Sequence, residues 1–259
     1  MFLRTLWSRL LGRYQRNLSK RLFRRPCILG NRVPIISFSF DDFPKSALLT
    51  GGAILKHHGL TGTYYASFGL MGKPSPNGII FSPEDVNVLN EQGHEWGCHT
   101  FSHCHSWSTP PRIFEAAIVS NRRALMELSP DSAFTTHSFP IAWPRPQSKR
   151  RAAVHFEACR GGGQTYNRRS IDLNLLSAFF LEKSRDDFES IERVIHENSR
   201  ACGWLILATH DVCDTPSPFG CTPALFKRVV ALSVASGATI LPVGEALRFA
   251  VSTHSILSS

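Results

Sequence analysis

The chain has 259 residues, of which 42% are hydrophobic and 19% charged. That is long enough for a sizeable core and suits one large domain or two small ones. The formal net charge of +9 is concentrated at one end. Nine Lys and Arg and no acid precede Asp41, and from Asp41 onward twenty cations balance twenty acids. A nucleic-acid-binding surface spread over the fold is therefore excluded as an expectation. No run of about 18 apolar residues is available to span a membrane.

In residues 1–25, Leu3, Leu6, Trp7, Leu10, Leu11, Tyr14, Leu18 and Leu22 recur every three or four residues with Arg and Lys between them. The spacing predicts a basic amphipathic helix suited to peripheral contact with an anionic membrane. Leu10-Leu11 is the longest apolar run in the first twenty residues, too short for the core of a signal peptide. The expected location is the cytoplasm, with the inner face of the membrane as the place the arm would hold the protein. Seven cysteines, an odd number without a CxxC pair, do not read as a disulfide framework and suit a reducing compartment.

Residues 33–40, VPIISFSF, read as a buried strand with Pro34 near its start. SALLTGGAILKHHG follows as a helix ending at Gly59, and 61–68 as a second strand. Ser82-Pro83-Glu84-Asp85 is a helix start, with a Ser cap, Pro in the first turn and acids against the dipole. A short strand at 94–98, a helix over 108–128, and strands at 133–138 and 154–159 come next. A strand at 177–181, a helix over 186–201, the strand WLILAT at 204–209, a helix over 222–236, a strand at 238–241 and a last helix carrying Glu245 complete the pattern. Strand and helix alternate seven or eight times, which implies an α/β fold with a parallel sheet closed into a barrel. Residues 1–30 form the arm and 31–259 the domain.

Two fragments carry chemistry. Phe38-Ser39-Phe40-Asp41-Asp42 puts adjacent carboxylates at the end of a buried strand, where they must find partners. His99-Thr100-Phe101-Ser102-His103 puts two imidazoles four residues apart, the spacing that one helical turn aligns on one face. Two His and one carboxylate suit zinc and leave a position for water, with the second carboxylate free to act as a base. A structural zinc site using Cys98 and Cys104 is the competing reading, disfavoured because Cys98 and His99 are adjacent. Asp41, Asp42, His99, Arg160 and His210 each follow a strand, and in a parallel barrel those ends share one face. Phe43, Trp107, Trp143 and Phe219 lie close to these motifs in sequence, where their rings could stack on a ligand or pack in the core.

Taken together and in this order, SFSFDD, HTFSH, FPI and ATHD resemble the NodB-type polysaccharide deacetylases, carbohydrate esterase family 4, over about Val33 to Leu247. The resemblance implies a deformed (β/α) barrel and metal-dependent removal of an N-acetyl group from an amino sugar in a polysaccharide or glycolipid. It implies Asp41 as catalytic base, Asp42, His99 and His103 as metal ligands, and His210 as catalytic acid. Pro140 and the Ile141 N–H would then lie on the oxyanion side. Zinc suits the ligands, and cobalt, nickel or manganese can substitute. The family's third motif usually carries Arg and Tyr where this chain has Ser138 and Ile141, and Arg160 is expected to orient the base in place of the missing Arg. A sugar deformylase and a catalytically silent carbohydrate-binding protein are the alternatives.

Overall fold

The structure, a computed structural model, describes residues 2–252. Eight parallel strands form the central sheet: β1 (Ile35–Phe40), β2 (Thr63–Ala66), β3 (Glu95–Cys98), β4 (Thr136–Ser138), β5 (Ala158–Arg160), β6 (Phe179–Phe180), β7 (Trp204–Thr209) and β8 (Thr239–Ile240). Their order is β6-β7-β1-β2-β3-β4-β5, with β8 paired to the first two residues of β1. Both β1 and β7 are buried throughout and pair along their whole length, from Ile35 opposite Trp204 to Phe40 opposite Thr209. Continuous apolar runs of this kind belong to parallel strands covered on both faces.

The sheet curls into a deformed barrel. Between β5 and β6 the wall is an irregular segment, tied by Leu176 N–H to Cys159 O (2.8 Å), Gly161 N–H to Leu176 O (3.0 Å) and Gln164 N–H to Ala178 O (2.9 Å). Eight helices surround it: α1 (Phe2–Arg21), α2 (Ala53–His57), α3 (Pro83–Glu91), α4 (Pro111–Leu128), α5 (Pro146–Ala152), α6 (Phe188–Arg200), α7 (Pro223–Ala235) and α8 (Val243–Ser252).

Strand alternation sorts the side chains. Ile36, Phe38 and Phe40 face outward and pack with Ile191 of α6 and Phe226 and Val229 of α7. Ile35, Ile206 and Trp204 belong to a second core with Val243, Ala246 and Leu247 of α8. The inward residues above them are small or polar: Ser37 takes the Trp204 indole N–H (3.0 Å), and the Tyr65 hydroxyl lies 3.3 Å from Thr136 Oγ1. Gly97 is required here, because a Cβ would sit 2.2 Å from the Tyr65 ring. At the N-terminal end of the strands α8 is held by Gly244 N–H to Glu95 (2.8 Å) and Val243 N–H to Thr63 Oγ1 (2.8 Å).

Three features depart from the sequence expectation. The helix over 46–59 opens as a π-helix, Ala47–Gly52, where Gly51 and Gly52 lie against Phe40 and the Tyr64 hydroxyl with no room for a Cβ. Helix α5, PQSKRRA, has no apolar periodicity to announce it, and it buries Lys149 instead. The Lys149 ammonium reaches Ser19 O (2.8 Å), Leu22 O (3.1 Å) and Asp172 (2.6 Å). Asp172 ends a short antiparallel ribbon, Pro26–Ile28 with Ser170–Asp172, so the end of the basic arm is built into the barrel wall. No described helix is long and apolar enough to cross a membrane, and all seven cysteines are free.

Candidate active site

The C-terminal ends of the strands gather the functional side chains. Asp41 follows β1 directly, its N–H bonded to Thr209 O of β7 (2.9 Å). Being odd-numbered on the strand, it points inward with Ser37 and Ser39. At Asp42 and Phe43 the backbone turns left-handed (φ 61° and 51°), so the second carboxylate leaves in a different direction from the first. Non-glycine residues adopt this region at a cost, and such strain gathers at functional sites.

The histidine motif reaches the same end by a different route from the helical turn its spacing suggests. His99 to His103 is a tight loop after β3, with Thr100 and His103 left-handed (φ 62° and 52°). Thr100 Oγ1 closes it by accepting the Cys104 N–H (2.8 Å). The two rings still meet, with centroids 5.1 Å apart. His99 Nε2 lies 3.4 Å and His103 Nε2 3.2 Å from Asp42 Oδ1.

His99 is buried, and its Nδ1 lies 2.8 Å from Ser138 O. Donation from Nδ1 fixes the tautomer and leaves a lone pair on Nε2. Burial holds the ring well below the usual imidazole range, so it is neutral. Asn77 donates to Asp42 Oδ2 (2.6 Å), which turns Oδ1 toward the imidazoles. That oxygen is buried without a hydrogen-bond partner.

Asp42, His99 and His103 are the one cluster of metal-ligating side chains among the described residues. An orphaned carboxylate oxygen facing two neutral-capable nitrogens fits a divalent ion, and two His with one carboxylate is a zinc-type donor set. Cys98 is not part of it: its thiol is buried, pushed up to about 11 by desolvation, and accepts from Asn121 Nδ2 at 3.4 Å.

Beside this cluster, Asp41 Oδ1 pairs with the Arg160 guanidinium. Arg160 is buried between the rings of Tyr65 and Phe180, at 4.7 and 5.5 Å from their centroids. His210, after β7, is half-buried with Nδ1 3.1 Å from Phe219 O, and the rings of Phe180 and Phe219 flank it. Pro140 and Ile141 follow β4 on the same face, and among the described residues no backbone partner takes the Ile141 N–H.

Residues 30–153 match the family model for polysaccharide deacetylase. The match identifies this stretch, just under half of the chain, with that family. No curated protein matches the chain in sequence, but solved structures match it in fold. A chitin deacetylase from the fungal pathogen Colletotrichum lindemuthianum has a TM-score of 0.60 at 14% identity, over 84% of this chain and 89% of its own. The Bc1960 peptidoglycan N-acetylglucosamine deacetylase has a TM-score of 0.59 at 15% identity, over 84% and 90%. BA3943 from Bacillus anthracis, described as a family 4 carbohydrate esterase pseudoenzyme, has a TM-score of 0.56 at 9% identity, over 85% and 67%.

The chain carries Ser138 where the family's third motif is expected to carry Arg, and the register of the sheet brings an arginine beside it. Ser138 of β4 lies directly opposite Arg160 of β5. From there the guanidinium reaches Asp41. Sequence reasoning missed Asn77, which sits in a Pro-Asn-Gly turn that reads only as a turn. It also missed Glu182, whose carboxyl burial raises above the usual range while the charge of nearby His210 opposes the shift. Of the aromatics expected at a sugar, Phe43 is fully buried and stacked on Phe81 at 4.7 Å, so it belongs to the core. Trp107 donates its indole N–H to Trp143 O (2.7 Å), and Phe219 is exposed beside His210.

Proposed function

We propose that the protein is a metal-dependent amidohydrolase that removes the N-acetyl group from an amino sugar. The observation that carries this reading is the buried, partnerless Asp42 Oδ1 facing both imidazoles, one residue from an arginine-paired carboxylate. Asp42, His99 and His103 would hold the ion. A divalent ion bound there, zinc by the donor set, supplies Lewis acidity to the amide carbonyl and acidifies a water.

The remaining work falls to the chain's own groups. Asp41, with Oδ1 occupied by Arg160, keeps Oδ2 as the site that accepts the proton of the attacking water. The Ile141 N–H donates to the oxygen that gains charge as the amide carbon becomes tetrahedral. His210 holds its Nδ1 proton on Phe219 O and has Nε2 as the atom that passes a proton to the departing amine. Acetate and a free amino sugar are the products. Tyr65 and Phe180 exclude water from the guanidinium, so the Asp41–Arg160 pair keeps one geometry.

The test is acetate and formate release from a panel of N-acyl amino sugars, with and without a chelator. Acetate release that the chelator stops is the expected result, and formate alone would mark a deformylase. Asp41→Asn should retain bound metal and lose about 10²- to 10⁴-fold in turnover. Near-normal turnover in that variant would remove Asp41 from the role of base.

A further inference from the structure

The arm's attachment defines which side of it is left over. Ser19 is buried with its hydroxyl on Pro144 O, and the Lys20 ammonium lies 4.9 Å over the Trp143 ring. Trp143 and Pro144 follow Ile141 in the segment after β4, so α1 is rooted on the rim of the face that carries the site. At about 100° per residue, Ser19 is roughly 140° around the helix from Tyr14 and roughly 180° from Leu10. Leu10 and Tyr14 therefore look away from the barrel, and Leu10, Leu11 and Tyr14 are 53%, 54% and 58% exposed. Arg13 and Arg16 are exposed on one flank of that stripe. All nine cations of the first forty residues stand without one acid among them.

We infer that α1 lies on an anionic lipid bilayer through Leu10, Leu11 and Tyr14, and holds the active-site rim over the headgroups, so that the amino sugar acted on is lipid-anchored. The second half of this inference rests on the deacetylase reading; the first does not. A partner that reads only charge, such as a nucleic acid, has no use for an exposed Leu and Tyr stripe beside the arginines. An anionic bilayer uses both, burying the apolar face at the acyl boundary and attracting the cations. The helix is rooted at Ser19 and Lys149, so docking orients the barrel rather than merely tethering it.

The experiment is co-sedimentation of the full chain with phosphatidylcholine vesicles containing about a quarter phosphatidylglycerol, and with phosphatidylcholine alone. Binding to the anionic vesicles about tenfold or more above the neutral ones is expected, with a Leu10→Glu/Leu11→Glu variant losing about tenfold. Circular dichroism checks its folding, and Tyr14→Glu serves as an independent variant. Turnover of a soluble N-acetylated oligosaccharide should stay within about twofold in both. Turnover of N-acetylglucosamine on a lipid in the same anionic vesicles should fall about tenfold.

Absent vesicle binding, or binding unchanged in the glutamate variants, overturns the docking and leaves the enzyme reading standing. Acetate release from no sugar, with vesicle binding intact, overturns the substrate half alone.

Discussion

Asp41 and Asp42 are neighbours in the chain and strangers in the fold. Strand alternation sends Asp41 inward to Arg160, and the left-handed turn at Asp42 sends its carboxylate to the histidines. Asn77 then decides which oxygen of Asp42 is free. Asn77→Ala should loosen metal about 10- to 100-fold, as expected for a group that orients a ligand, measured by competition with a chromophoric chelator. Unchanged affinity would mean that Asp42 finds the same orientation unaided. In the proposed mechanism Arg160 acts through Asp41, as a positioning residue. Arg160→Ala should lower kcat about 10²-fold with KM little changed, and Arg160→Lys should recover part of the loss. The lysine matters because a merely structural role would not be rescued by charge alone.

At the scale of elements, the strands were legible and their supports less so. β1 and β7 announce themselves by continuous apolar runs, and helices α3, α6 and α7 by caps and periodicity. Helix α5 was invisible because it buries a charge in place of a hydrophobic face. Lys149 closes the end of α1 and pairs with Asp172 out of solvent. Removing one partner of a buried pair leaves the other uncompensated. Lys149→Met should therefore cost about 3 kcal/mol or more in urea unfolding. The HTFSH spacing points to a helix face, yet a loop with two left-handed residues performs the convergence.

For the whole molecule, pH acts through buried groups that the proposed chemistry does not use. Glu95, at the floor of the barrel, is raised to about 7 by burial, against the hydrogen bonds from Gly244 and Thr136. The folded state therefore holds a proton that the unfolded chain has released once pH passes its ordinary value of 4.5. The Glu95 contribution is full below that value, is lost as pH rises to about 7, and is flat above, amounting to about 3 kcal/mol. Buried His94 and His137 are lowered to about 4 and 3, chiefly by desolvation, and act in the opposite direction, weakening the fold as pH falls below 6.5. The difference between wild type and Glu95→Gln isolates the first effect. Urea melts should show the variant gaining on wild type between pH 4.5, the ordinary carboxyl value, and about pH 7. A constant difference across that range would show that Glu95 does not titrate there.

By itself the sequence determined the alternation of strands and helices, the basic arm, and the two fragments that name the chemistry. These are local signals, carried by periodicity, caps and residue type within a few positions. Only the tertiary structure set Arg160 against Asp41 and opposite Ser138, 22 positions away in the chain and directly across in the sheet. It also decided that Asn77 orients Asp42, that Phe43 is core, and which face of α1 is free. Each depends on register or on a long-range contact, and a one-dimensional pattern holds neither.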